Sequence, residues 1–565
     1  MTETPRRGLA AIALLLLLAP RLSAQPATAG VAVATTHVAD ELNPSVVADG
    51  LGGAYVGFKL PYRSASLPAE IVVSHVLPSG APHPDWQALP MTPAGSLLQA
   101  NTGPARVLAP SGEVLAFADL TNGTGTVDLT RKVGESGADP SYPGFKPTYP
   151  YLVFTALPRT DGGALILSKA QGGLINCLAT VVSPTGTGTE VFNTIDIGNG
   201  TYASVGNDRM AAVPSGVNGA IVVIQLPQVF NTLTGTDLVA VRIDATGNAV
   251  WGPVHRLLSA AARDQTDPAA TSDDADGLIV AWRDGRNTAT GSDIYAQRLL
   301  SNGTVATGWT AGGKAICTAS GPQTAPAIAP DGAGGAWFAW VDGRDTTGTD
   351  IYYTHVLANG TIAVGYPAGG KALCAAPGSQ TSVQLARDGS GGCFAVWLDP
   401  RDGEVDLYGE HFDFAGNATA GWIANGSALC TDPTAQASPA IDIVSPGRAI
   451  VAWSDSRLGS QAVFALVLDA THGALDAPPA RIARLALAAR ANPARGALEL
   501  SVDAAEAGEV HVALYDVGGR ILAKRTVAGP ARAADVRFDR LSPGLYFAVA
   551  GQRGAIASTR VAVVR

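Results

Sequence analysis

Short apolar runs, broken at close intervals by Gly, Asp, Asn and Pro, fill almost the whole chain, and none recurs with a helical period long enough to predict a helix. The pattern repeats. Gly-Leu-Ile-Val-Ala-Trp-Arg-Asp-Gly-Arg (277–286) returns as Gly-Ala-Trp-Phe-Ala-Trp-Val-Asp-Gly-Arg (335–344). It returns again as Gly-Cys-Phe-Ala-Val-Trp-Leu-Asp-Pro-Arg (392–401) and Arg-Ala-Ile-Val-Ala-Trp-Ser-Asp-Ser-Arg (448–457). The shared Trp282, Trp340, Trp397 and Trp453 lie 58, 57 and 56 residues apart. Stepping back by the same period places Ile224, Ser168, Phe117 and Phe58 in the Trp slot, at intervals of 58, 56, 51 and 59. Eight units therefore tile the chain from about residue 30 to 478.

Each unit carries four strand signals, at 325–329, 336–341, 350–357 and 371–375 in the clearest copy. Turn-rich segments at 331–334, 342–348 and 359–360 separate them; Asn359-Gly360 is a hairpin signal because both residue types tolerate positive φ. Four antiparallel strands per repeat without a helix describe a propeller blade, ahead of a solenoid. The expected fold is all-β, a ring of eight blades over 25–478. Seven is the alternative, because the Phe117 unit is short. Aligning 43–49 with 382–388 puts 31–35 where a preceding fourth strand belongs, so the N-terminal strand is expected to complete the last blade and seal its edge.

Composition narrows the class. The chain is 47% apolar, too much for a disordered polymer. Its 38 Lys+Arg against 47 Asp+Glu leave a net −9, which argues against a nucleic-acid binder. The 66 Gly and 37 Pro punctuate strands. At the N-terminus, Arg6 and Arg7 precede an apolar run from 9 to 19 and the small-residue site Leu22-Ser23-Ala24. Residues 1–24 therefore read as a cleaved signal peptide, the run being shorter than the ~20 residues a membrane span needs. No transmembrane span is expected in the mature chain.

The Trp-x-Asp-x-Arg motif comprises Trp282, Asp284 and Arg286; Trp340, Asp342 and Arg344; Trp397, Asp399 and Arg401; and Trp453, Asp455 and Arg457. These residues either line a ligand site in every blade or lock a turn beneath a packed aromatic, and repetition favours the scaffold role. A second lattice begins the third strands at Asp237, Asp293, Asp350 and Asp406. Five residues on stand Arg242, Arg298, His355 and His411, with His75 in the first unit's slot. Pairing of these cations with a neighbouring blade's Asp is favoured over a ring facing an acidic ligand. The acidic loops Asp342, Asp345, Asp350 and Asp399, Asp402, Asp406 are candidate calcium ligands, although they lack the Asp-x-Asp-x-Asp-Gly spacing.

Of five cysteines, Cys317, Cys374 and Cys430 share one slot of consecutive units, too far apart in a ring for disulfides. Cys393 sits on a different strand, which leaves a pairing with it open, and Cys177 makes the total odd. No spacing supports zinc, and no nucleophile elbow, Walker loop or sialidase Ser-x-Asp-x-Gly-x-Thr-Trp box occurs, so no catalytic residue or cofactor is assigned.

Beyond Pro478-Pro479 a β-rich module spans 479–565, with strand signals at 497–502, 509–516, 520–526, 534–538, 544–550 and 558–564, the pattern of a small immunoglobulin-like sandwich. Asn492-Pro493, the stretch with Tyr515, Asp516, Gly519 and Arg520, and Leu541-Ser542-Pro543-Gly544-Leu545-Tyr546 stand in order before the closing Thr559–Arg565 segment. In these features the module resembles a type IX secretion C-terminal sorting domain. The resemblance covers only the last ~85 residues, and it implies recognition by an outer-membrane secretion machinery and delivery to the surface or medium of a Gram-negative-type bacterium. The expected function is a secreted or surface propeller binding a polysaccharide or surface protein. A glycan-active hydrolase or lyase is the alternative, and a structural surface-layer component is third. Segments 60–68, 134–150 and 185–200 of the divergent early units are the expected specialised loops.

Overall fold

The computed structural model describes most residues from 210 to 475, with shorter stretches between 30 and 193 and between 486 and 564. Every regular element among the described residues is a strand, and no helix there is long and apolar enough to cross a membrane. The signal segment 1–24 and most of segments 60–68, 134–150 and 185–200 lie outside the described residues, but Gly188–Asn193 in the last is a strand paired with Cys177–Val182 and not a loop.

Eight antiparallel sheets follow one another from residue 31 to 475 among the described residues. The sixth is representative: Gln323–Pro330, Ala336–Asp342, Asp350–Val356 and Lys371–Cys374 pair in chain order. Phe58, Phe117, Ser168, Ile224 and the four motif tryptophans each lie on the strand that follows the first lane of their own sheet. The Phe117 sheet is irregular: Gln99–Ala100 and Arg106–Leu108 share one edge of Val114–Thr121, and Thr126–Lys132 takes the other.

Sequence chemistry sets the turns. After the first strand, Asp331 accepts the amides of Ala333 and Gly335 at 2.7 and 2.9 Å, while Gly332 and Gly334 take positive φ. Asp49, Asp273 and Asp388 hold the corresponding turns with the same oxygen. A further repeated feature carries no sequence signature. Asn43, Asp267, Ala325, Ser382 and Ser438 all have φ between 47° and 57°, each where the first strand's register slips against the second. These are β-bulges, which bend the strand and sharpen its twist.

First strands of successive sheets lie side by side, and the series returns on itself. Ala48 donates its amide to Asp442 at 3.0 Å, Ser438 reaches Asn43 at 3.1 Å, and Arg448 donates to the Pro78 carbonyl. One apolar cluster joins Val56, Phe58 and Val72 of the first sheet to Ile450, Ala452 and Val467 of the last. Val31–Ala32 pairs with the strand Ala462–Asp469 in the register Val31↔Ala465 and Ala32↔Phe464. In the sixth sheet the fourth strand pairs equivalently, Lys371↔Tyr353 and Ala372↔Tyr352. Gly473–Leu475 takes the rest of that edge, opposite 467–469. This is a closed, repeated all-β fold of propeller type.

The C-terminal strands are longer than expected. Instead of separate strands at 497–502 and 509–516, Ala497–Tyr515 runs unbroken against an equally long Ile521–Asp539. The small and polar residues 503–507 read as a turn, yet the register shifts there without ending the pairing. Leu498, Leu500, Val512, Leu514, Val536, Phe538 and Val561 build a core drawn only from this module.

Candidate functional site

The Trp-x-Asp-x-Arg motif is a closed internal clamp. In the sixth sheet Trp340 Nε1 donates to Asp342 Oδ2 at 2.7 Å, and Arg344 holds both carboxylate oxygens through Nη2 (2.6 Å) and Nε (2.8 Å). Asp342 is fully buried. Arg344 also donates to the Gly369 carbonyl and lies 3.7 Å above the Tyr352 ring. The clamps at Asp284, Asp399 and Asp455 repeat the indole and Nη2 contacts, with Arg286, Arg401 and Arg457 stacked over Tyr295, Tyr408 and Phe464, and only Arg401 lacks the Nε contact among these four clamps. Each arginine reaches back to the end of the preceding sheet's fourth strand, meeting Ser259, Cys317, Cys374 or Cys430. The tryptophans close over glycines: a Cβ at Gly370 would sit 2.4 Å from Trp340. Every carboxylate and indole of the motif is satisfied internally, which gives it a scaffold role.

The second lattice requires a correction. Four of the five cations, all but Arg242, pair within their own sheet and not with a neighbour's Asp. His75 meets Asp49 (2.8 Å), His355 meets Asp331 (2.9 Å), His411 meets Asp388 (3.0 Å) and Arg298 meets Asp273 (2.9 Å). The partner is the turn aspartate after the first strand, whose second oxygen the turn amides leave open. His411 and the turn amides hold Asp388 well below the ordinary carboxylate range despite its burial. The neighbouring sheet is reached instead through its backbone: Arg242 and Trp251 converge on the Ser301 carbonyl, and Arg298 and Trp309 on that of Ala358.

The candidate calcium ligands are spread over different local roles. Asp342 and Asp399 are consumed by the clamps, and among the described residues no three acidic, His or Cys side chains converge as ligands with Asp345, Asp350, Asp402 or Asp406. Asp402 accepts the Tyr408 hydroxyl at 2.7 Å. Burial and the nearby charges of Asp402 and Asp399 push Asp406 up to about 6. Cys317, Cys374, Cys393 and Cys430 are free, buried thiols. Burial pushes Cys317 up to about 11 and Cys374 to about 12.

The open chemistry lies where the fifth sheet departs from the repeat. Arg263 stands where other units have Gly321, Gly378 or Thr434, and Arg283 where they have Val341, Leu398 or Ser454. Both are exposed and line a cleft of about 350 Å³ with Asp264, Thr266, Asn287, Thr288 and Ser292. The local fold explains the placement. Arg263 takes a left-handed φ of 67° just before the first strand. Asp264 anchors that loop, accepting the Thr236 amide through Oδ1 and the Gly285 amide through its carbonyl. Gly285 also lines the cleft, next to the Asp264 carbonyl and the Arg263 side chain. Arg283 lies opposite Thr266 in the ladder. No ion pair engages either guanidinium among the described residues, in contrast to the clamp arginines. Consensus reasoning passes over this pair because the signal is deviation from the repeat.

In the C-terminal module, Tyr546 is buried and donates to the Ser542 carbonyl at 2.6 Å, tying down the Pro-Gly turn before its strand. Gly544 begins that strand and Tyr515 ends another, whereas Asn492, Pro493, Asp516, Gly519 and Arg520 lie outside the described residues.

No family model matches the chain, and no curated relative does. Among solved structures it is similar to a puromycin hydrolase mutant complexed with PGG, at 14% identity and TM-score 0.37, covering 84% of this chain and 62% of that one. It is also similar to a PL25 ulvan lyase bound to -[GlcA(1-4)Rha3S]-, at 11% identity and TM-score 0.41, covering 79% and 96%. A third is the α-L-arabinofuranosidase Arb93A from Fusarium graminearum with an iminosugar inhibitor, at 10% identity and TM-score 0.29, covering 56% and 91%. At these identities and scores no activity passes from them to this chain.

Proposed function

We propose that the chain is an exported, ligand-binding propeller of eight blades, carrying an immunoglobulin-like C-terminal module that directs its secretion. The observation behind the binding role is the cleft of the fifth sheet, where two arginines break the repeat and face solvent without ionic partners among the described residues. The carboxylates of the Trp-x-Asp-x-Arg clamps are occupied within the scaffold, so specificity is placed where the repeat is broken. A glycan array probed with the mature chain, followed by product analysis, tests this reading. Retention of a glycan without turnover is the expected result, and no retained glycan sinks it.

The second reading, a glycan hydrolase or lyase, draws on Asp406, a carboxyl held near 6 beside Asp402. Burial and neighbouring acids also raise Asp350 in the sixth sheet, which marks the feature as repeat chemistry and keeps binding first. Released product in the same assay reverses that order.

Support for export comes from the ordered C-terminal motifs and from a core that the module completes by itself. Fused to a periplasmic reporter in a host with type IX secretion, residues 481–565 are expected to carry it to the cell surface. A reporter that stays in the periplasm overturns the sorting role.

A further inference from the structure

We infer that the fifth-sheet cleft grips an oxyanion, carboxylate or sulfate, carried on a saccharide chain. This deepens the ligand-binding reading and rests on it. The charge argument comes first. Arg263 and Arg283 face a single carboxylate, Asp264, so the lining is positive by one on a chain that is negative by nine. Asp264 is already committed to the Thr236 amide. Guanidinium is planar, permanently charged and suited to bidentate capture of carboxylate or sulfate oxygens.

The remaining wall selects the carrier. Thr266, Asn287, Thr288 and Ser292 are short and polar, and the lining contains no aromatic, Leu, Ile, Val or Met. Ser292 donates its hydroxyl to the Gln323 carbonyl, which leaves its oxygen free to accept. Such a wall matches sugar hydroxyls. It offers no stacking platform for nucleobases and none of the aromatic or Met anchors that protein partners favour. At about 350 Å³ the cleft falls within the ordinary range of small-ligand sites.

The test titrates the full mature chain calorimetrically with a polygalacturonate oligomer (carboxylate), dextran sulfate (sulfate) and neutral dextran. At least one anionic probe is expected to bind about tenfold or more tightly than neutral dextran, and the stronger arm identifies the oxyanion. Arg263→Ala with Arg283→Ala is expected to lose about 100-fold on that probe, since each charge-assisted contact is worth about tenfold or more. The double lysine variant should recover only part of the loss. Both side chains are exposed, so unchanged thermal unfolding of the variants verifies their fold. Equal binding by wild type and double alanine variant overturns the inference. Wild type that takes neutral dextran as tightly as the anionic probes overturns it too, while leaving the broader reading standing. Wild type that retains no glycan in this titration or on the array overturns both.

Discussion

Replacing Asp342 with Ala is expected to destabilise the ring by about 3 kcal/mol or more, the scale for removing one partner of a buried ion pair. The carboxylate is fully buried and receives the Trp340 indole, two guanidinium nitrogens of Arg344 and that residue's own amide. Its loss leaves the indole N–H without an acceptor and a cation held over Tyr352. Unfolding in urea followed by tryptophan fluorescence measures the change. Arg344→Ala alone should also be costly, but the double variant should lose less than the two singles together, because the second removal abolishes an interaction already broken. Asp345→Ala, at an exposed position in the same loop, should fall within about 0.5 kcal/mol of wild type. An Asp342→Ala midpoint matching that of Asp345→Ala would show that the clamp contributes nothing.

Removing residues 25–35 should have an effect of similar size and a different character. The deletion strips Val31–Ala32 from the last sheet, breaks the Val33 amide bond to the Val463 carbonyl at 2.8 Å, and takes away the fully buried Val33 side chain. A hydrogen bond contributes about 1 kcal/mol net and a buried Val about 2 kcal/mol, so a loss of about 3–5 kcal/mol is expected. The freed edge of Ala462–Asp469 then presents unpaired backbone groups at the seam. Light scattering should show self-association of the truncated chain, together with a lower melting temperature. A monomer that melts like wild type would remove the N-terminal strand from the account of closure.

The repeat was legible because a bulky aromatic at a fixed interval survives substitution around it. Even Ser168 and Ile224, which share no chemistry with Trp, fall on second strands. Pairing across space was less legible. The interval from Asp350 to His355 is visible in the chain, but the partner, Asp331, comes from a different turn. Sequence spacing gives no reason to prefer it to a neighbouring sheet's aspartate. The left-handed position of Ala325 was invisible for a different reason, since nothing in an Ala announces positive φ and the bulge is imposed by strand register. The Arg263–Arg283 pair was hidden because the eye looks for what repeats. In the C-terminal module, the gap between the strand signals at 497–502 and 509–516 is bridged by irregular pairing, with Ala504 opposite Ala531 and Gly508 opposite Gly529.

The joint at the last sheet has one more meaning. Leu475 stands opposite Val467 and Val31 opposite Ala465, so the two ends of the ring lie in line on one edge, two ladder positions apart. One ladder position, opposite Leu466, separates the strand that opens the ring from the strand that ends it. In terms of contacts, the ring is a circle that translation happens to enter there, and its order of sheets is cyclic before it is linear.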